Sequence, residues 1–238
     1  MTRPPEGSER EFGALRTVLF DLDGTLADTA PDLAYALNRV LSEQGRTPLA
    51  LEVIRPLISL GGRAMVEGAL GVRPEQPGFE PLYRRFLAIY QENVANDTQL
   101  FPGMEVVLDT LEARHMNWGI VTNKVAFLTL PLVEALGLAE RAACIVSGDS
   151  TAQRKPHPAP LLFACEQVGS HPSQCLYVGD APRDIAAGQR AGMRTLVALF
   201  GYIPRGEVPL QWGADGLIAS PLELLDWLEV GAFHPAGV

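Results

Sequence analysis

Short runs of consecutive apolar residues punctuate this chain at Thr17–Phe20, Trp118–Val121, Ala143–Val146, Cys175–Val178 and Thr195–Leu199, with a weaker one at Gly216–Ile218. Each has strand length. The later runs alternate with amphipathic stretches of helix length at Val106–Arg114, Leu128–Leu136, Ala159–Val168 and Asp184–Ala191. Near-continuous apolar strands separated by helices predict an α/β fold, a parallel sheet with helices on both faces. Open sheets of this kind bind ligands at the carboxyl ends of their strands.

The segment between the first two runs breaks this rhythm. It holds four helical patterns, Leu33–Gln44, Leu51–Ile58, Arg63–Leu70 and Pro81–Val94, which is too much for one crossover helix. It reads as an inserted α-helical cap domain, left through Ala27–Pro31 and closed at Pro102-Gly103. The expected division is a tail at 1–13, a catalytic core at 14–30 and 99–231, the cap at 31–98, and a second tail at 232–238. A cap inserted just beyond a strand end is placed to close over a substrate and exclude water.

At 238 residues, with 47% hydrophobic and 20% charged residues, the chain can bury a core, and it shows no repeat or low-complexity tract. A net charge of −9 argues against a nucleic-acid or anionic-membrane partner and favours a soluble protein handling small molecules. An anionic substrate would then need local help from a metal ion or a few placed cations. Cys144, Cys165 and Cys175 show no CxxC spacing and sit in or beside apolar runs, as reduced core residues of a cytoplasmic protein would. Residues Thr2 to Gly13 lack the apolar region of a signal peptide, and no run approaches a bilayer span.

The chemistry gathers at strand ends. Asp21-Leu22-Asp23-Gly24-Thr25 follows the first run directly. A period of two puts both carboxylates on one face if strand geometry carries on through Asp23. One can then attack as a nucleophile while the other gives and takes protons, and a divalent cation between them would offset their repulsion. A turn-and-cap role explains Asp23-Gly24 alone, but not the whole pattern. Thr122-Asn123-Lys124 offers a hydroxyl, an amide and an ammonium suited to phosphoryl oxygens, with a capped helix start as the plainer alternative. In Gly179-Asp180-Ala181-Pro182-Arg183-Asp184, Asp180 reads as an N-cap with Pro182 near the first helical position. That account leaves Asp184 unexplained, whereas two carboxylates at a strand end supply hard oxygens for Mg²⁺. Lys155-Pro156-His157-Pro158 holds a lysine in a stiff setting, solvated or set to neutralise a carboxylate or phosphate. Between two cap helices, Gly62 lets backbone approach a ligand and Arg63 offers a fork for a carboxylate, unless Arg63 is only an exposed residue at a helix start.

Taken in order, Asp21–Thr25, Thr122, Lys155 and Gly179–Asp184 resemble the four motifs of the haloacid dehalogenase-like phosphohydrolase superfamily. Asp28 in the run Asp-Gly-Thr-Leu-Ala-Asp-Thr-Ala-Pro-Asp, together with Thr-Asn-Lys and Lys-Pro-His-Pro, looks most like bacterial phosphoglycolate phosphatases. Gly-Gly-Arg-Ala-Met, Trp118-Gly119, Gly201-Tyr202-Ile203 and Trp212-Gly213-Ala214-Asp215 also look like N-acetylmuramic acid 6-phosphate phosphatases. The resemblance implies a Rossmann-like core with a helical cap, in which Asp21 forms an aspartyl-phosphate and Asp23 serves as acid and then base. It implies that Thr122, Asn123 and Lys155 hold the phosphoryl oxygens. Mg²⁺ would be bound by the Asp21 carboxylate, the Asp23 carbonyl and Asp180, with Asp184 a direct or water-mediated ligand. The partner would be a small phosphorylated metabolite, 2-phosphoglycolate first and the amino-sugar phosphate second, acted on by a monomer or homodimer. A sugar phosphomutase uses the same two aspartates, whereas a haloalkanoate dehalogenase would not be expected to keep an acid at Asp23. Ala181 stands where many relatives carry a small hydroxyl residue, and Pro182 stiffens the same loop.

Overall fold

The computed structural model describes residues 14–204 and 206–230, so the expected tails at 1–13 and 232–238 lie outside the described residues. Strand β1 (Thr17–Phe20) leads through β2 (Ala27–Asp28) into helices α1 (Ala30–Glu43), α2 (Leu51–Ile58), α3 (Gly62–Leu70) and α4 (Phe79–Glu92). The chain returns through β3 (Gln99–Leu100). It then alternates α5 (Met104–Ala113), β4 (Asn117–Val121), α6 (Ala126–Ala135), β5 (Cys144–Val146), α7 (Ala159–Val168), β6 (Cys175–Gly179), α8 (Pro182–Ala191) and β7 (Arg194–Ala198), before β8 (Gly216–Ile218) and α9 (Leu224–Val230).

Among the described residues the main sheet is six-stranded, parallel throughout, in the order β5-β4-β1-β6-β7-β8. Successive side chains of β1 enter opposite layers. Val18 and Phe20 pack with Leu108 of α5, Leu132 of α6 and Leu224 of α9, while Leu19 packs with Leu161 of α7 and Ala187 of α8. All four β1 residues are buried, which explains an unbroken apolar run in place of alternation. The chain winds outward from β1 in both directions, so the crevice between β4 and β6 lies at its carboxyl end. Register makes the three ends level: Phe20 pairs with Ile120 on one side and Val178 on the other.

Helices α1 to α4 share a second apolar cluster containing Leu37, Ile54, Met65 and Phe86, joined from the sheet side by Phe101, Leu128 and Tyr202. The two crossings into this helical layer pair as a short antiparallel ribbon, Ala27 with Leu100 and Asp28 with Gln99. Buried Asp32 reinforces them by accepting from the Asp97 and Thr98 amides and the Thr98 hydroxyl. This ribbon is absent from the sequence expectation. Helix starts also differ: α1 begins at Ala30, because Pro31 suits the first turn, and α8 begins at Pro182 with Ala181, not Asp180, as N-cap. Helix α4 runs two residues earlier than the Pro81–Val94 pattern at both ends. No helix among the described residues is long and apolar enough to cross a membrane.

Candidate active site

The end of β1 delivers Asp21 into the crevice. Its amide still donates to the Val178 carbonyl at 2.9 Å, so extended pairing runs one residue past the strand, and Leu22 donates its own amide to Asp21 Oδ1 at 2.8 Å. From the β5–α7 loop comes Lys155, whose buried Nζ lies 2.9 Å from Asp21 Oδ1 and 2.8 Å from Asp184 Oδ1. It also donates to the Val121 carbonyl at 2.9 Å and the Tyr177 hydroxyl at 2.7 Å. Four oxygens around three protons hold the ammonium fast. Burial pushes the Asp21 carboxyl up, but Lys155 and Arg183, with the Leu22 amide, outweigh it and keep it below the usual carboxylate range. Asp21 therefore stays ionised.

Asp180, after β6, and Asp184, in the first turn of α8, each bring a carboxylate oxygen within 4.8 Å of the other and of Asp21, all three buried. Asp184 Oδ2 accepts the Ala181 amide at 3.1 Å, and Asp180 Oδ2 accepts the Tyr202 amide at 2.7 Å. Asp180 Oδ1 is buried with no hydrogen-bond partner. Burial, then Asp21 and Asp184, push the Asp180 carboxyl well above its usual range, and burial also raises Asp184 against the pull of Lys155. Three hard oxygens, one of them orphaned, suit a hard divalent cation. Close packing keeps the place: a Cβ on Gly24, which has φ +85°, would lie 2.1 Å from Asp180 Oδ2.

Leu22 and Asp23 turn away from regular pairing, yet Asp23 bridges Ala27 and lines the same cavity as Asp21. Its Oδ1 accepts from Thr29 Oγ1 and from Lys124 Nζ, both at 2.6 Å. Lys124 also donates to the Tyr90 hydroxyl at 2.8 Å and lies 4.6 Å from that ring's centre. Burial pulls the Lys124 pKa down, but Asp23 and Tyr90 outweigh it and raise it, while burial raises the Tyr90 hydroxyl to about 12. Thr122 lines the cavity, its Oγ1 accepting the Lys124 amide at 3.1 Å. Asn123 lines the cavity beside Thr122, and its side-chain amide accepts from Lys155 N–H at 3.0 Å and donates to the Lys155 carbonyl at 2.9 Å. It clamps the lysine loop.

Above these residues the cavity, about 360 Å³, reaches into the helical layer. Gly62 and Arg63 line it at the start of α3. Arg63 is half-exposed, 3.3 Å from Glu80 Oε2, and its guanidinium lies 4.7 Å and 5.1 Å from the ring centres of Phe79 and Tyr83. Tyr83, Phe86 and Tyr90 of α4 are stacked in series and form one wall. Arg183 and Arg154 line the cavity as well. A second set of side chains spans the crossing: Tyr202 donates from its hydroxyl to Asp28 at 2.6 Å, and Arg55 of α2 grips Asp28 with two 3.0 Å hydrogen bonds.

The geometry thus gathers Asp21, Asp23, Thr122, Lys155, Asp180 and Asp184 around one crevice, with Gly62 and Arg63 across the cavity from them. Sequence reasoning missed the pairing of Lys124 with Asp23, and the presence of Tyr90, Tyr177, Arg183 and Tyr202. Lys124 carried a signal two residues after Thr122 at a strand end, as did Arg183 within Gly179–Asp184 and Tyr202 within Gly201-Tyr202-Ile203; Tyr90 and Tyr177 have none in spacing.

A parallel α/β core that presents carboxylates at its topological switch point, beneath a helical layer, defines the class of α/β enzymes that work at strand ends. The model of haloacid dehalogenase-like hydrolases matches residues 18–198. A phosphoglycolate phosphatase of Xanthomonas campestris is 44% identical over 209 residues, covering 88% of this chain and 94% of the relative. An N-acetylmuramic acid 6-phosphate phosphatase of Pseudomonas putida is 44% identical over 210 residues, with the same two shares. Among solved structures, a predicted phosphoglycolate phosphatase from Haemophilus somnus superposes with a TM-score of 0.80 at 28% identity, covering 93% of this chain and 99% of its own. This chain belongs to the haloacid dehalogenase-like hydrolase family.

Proposed function

We propose that this enzyme is a Mg²⁺-dependent phosphomonoester hydrolase working through an aspartyl-phosphate, with 2-phosphoglycolate the first expected substrate. The observation that carries the reading is Asp21 and Asp23 lining one cavity, with Lys155, Asp180 and Asp184 against Asp21. Asp21, ionised and held by Lys155, attacks phosphorus, forming the Asp21 O–P bond as the ester P–O bond breaks. Asp23 protonates the departing alkoxide and later takes a proton from the water that hydrolyses the aspartyl-phosphate. Thr122 holds phosphoryl oxygens as charge shifts, Lys155 exchanges part of its hold on protein oxygens for them from its place against Asp21, and Asn123 supports both by fixing the Lys155 backbone. Asp21, Asp180 and the Asp23 carbonyl would hold Mg²⁺, with Asp184 a direct or water-mediated ligand, and the bound ion would supply the positive charge that lets a carboxylate approach a phosphate dianion. In this reading 14–30 and 99–231 form the core and 31–98 the cap. Three buried free cysteines support a cytoplasmic setting.

N-acetylmuramic acid 6-phosphate is the second reading, favoured by the cavity itself. About 360 Å³ with a wall of Tyr83, Phe86 and Tyr90 is more than a two-carbon acid requires, and suits a sugar ring. Free-phosphate release across 2-phosphoglycolate, N-acetylmuramic acid 6-phosphate and hexose phosphates, with and without EDTA, tests both. Asp21→Asn should lose about 10³-fold or more of the turnover with the fold intact. Retained Mg²⁺-dependent release in that variant would remove Asp21 as nucleophile.

A further inference from the structure

The turn between α2 and α3 carries Gly62 and Arg63 to the cavity, and two core groups, the Arg183 side chain and the Tyr202 carbonyl, set its position. Arg183, second residue of α8, donates from Nη1 to the Ser59 carbonyl, and buried Ser59 donates from Oγ to the Tyr202 carbonyl. Both holders are tied to the carboxylate cluster. Arg183 adjoins Asp184 in the chain, and the charges of Asp184, Asp21 and Asp180 hold its pKa up against burial, while Tyr202 donates its amide to Asp180 Oδ2.

Lys155 balances only one of the three buried carboxylates and Arg183 adds a second positive charge, but charge alone does not require its hydrogen bond to the Ser59 carbonyl. The guanidinium even leaves its Nε buried without a partner, a cost that a protein tolerates where geometry is needed more than saturation. What the guanidinium adds is a hydrogen bond that joins the chain neighbour of Asp184 to the turn leading into Arg63. We propose that Arg183 is a positioning residue that fixes the α2–α3 turn over Asp21, keeping the leaving-group side of the cavity in register with the reacting side. Misplacement by about 1 Å at such a distance can cost about 10²-fold in rate, so the connection bears on specificity as well as shape.

The test compares the full-length wild type with Arg183→Met and Arg183→Lys, first by hydrogen exchange. The Leu60 and Gly61 amides donate to Leu57 and Ile58 carbonyls at 3.0 and 2.8 Å and report on the turn. Arg183→Met should speed their exchange about tenfold or more, with Val18 to Phe20 in β1 unchanged, and Arg183→Lys should give a smaller rise because charge remains without the guanidinium. The second arm, which rests on the phosphatase reading, is the ratio of kcat/KM for 2-phosphoglycolate over p-nitrophenyl phosphate. It should fall about tenfold in Arg183→Met, since a loosened turn misplaces Arg63. Unchanged exchange at Leu60 and Gly61 overturns the proposal, as does faster exchange with an unmoved ratio. If Arg183→Met loses protection in β1 as well, Arg183→Lys decides on the same two readings. No phosphate release by the wild type from either ester sinks the phosphatase reading instead, and the exchange arm still decides for Arg183.

Discussion

At Lys155 a buried ammonium stands between two buried carboxylates, so its removal takes from both their ion-paired partner and leaves them only the charge of Arg183. Lys155→Met should destabilise the protein by about 3–5 kcal/mol in urea unfolding and remove most of the turnover, because a broken buried ion pair leaves charges that solvent cannot reach. Gly24 makes a separate claim. Its φ of +85° and the 2.1 Å approach of a hypothetical Cβ to Asp180 Oδ2 forbid a side chain there. Gly24→Ala should weaken Mg²⁺ binding in a calorimetric titration; unchanged affinity would separate Gly24 from the cation site. Asp21, Lys155, Asp180 and Asp184 were legible in the sequence because each follows an apolar run at a strand end or stands in a stiff proline-flanked segment. The roles of Arg183, Tyr90 and Tyr202 were not, since they arise from contacts across long sequence separations that no local pattern encodes.

Among the elements, α5 shows how a helix is fixed to its sheet by charge as well as by packing. Arg141, in the α6–β5 connection, reaches Glu105, Asp109 and Glu112 along one face of α5, and Glu112 also accepts the Trp118 indole N–H at 2.9 Å. The Arg141 hydrogen bond, with Trp118 assisting against partial burial, holds the Glu112 carboxyl below its usual 4.5. A depressed carboxyl contributes stability that is present above the usual value and lost as pH falls through the folded one. The Tm gap between wild type and Glu112→Gln should therefore be widest near about pH 7 and close as pH falls below 4.5; a gap that widens on acidification would contradict the assignment. The main strands and helices were readable from periodicity. The β2–β3 ribbon was not, because two residues per strand give no period to detect, and helix starts shifted where capping and Pro31 or Pro182 outranked the apolar pattern.

For the whole molecule, a net charge of −9 is offset locally by Lys124, Arg63, Arg154 and Arg183 around the cavity, to which the proposed cation in the carboxylate cluster would add. Mg²⁺ bound only to the folded state should raise stability by about 2.7 kcal/mol at a hundredfold excess over Kd, seen as a Tm increase of several degrees. EDTA should reverse the increase and Asp180→Asn should abolish it. A Tm indifferent to Mg²⁺ would remove the cation from the cluster.

The ribbon of Ala27–Asp28 with Gln99–Leu100 carries a consequence for how such a chain diversifies. Exit and re-entry points lie side by side as hydrogen-bonded neighbours, so everything between them can be lengthened, exchanged or replaced by a tight two-residue reversal without moving a strand of the main sheet. If the helical layer sets substrate preference as proposed, a recombinant trading residues 29–98 for the corresponding stretch of a relative should show the other parent's order of phosphate release across a substrate panel.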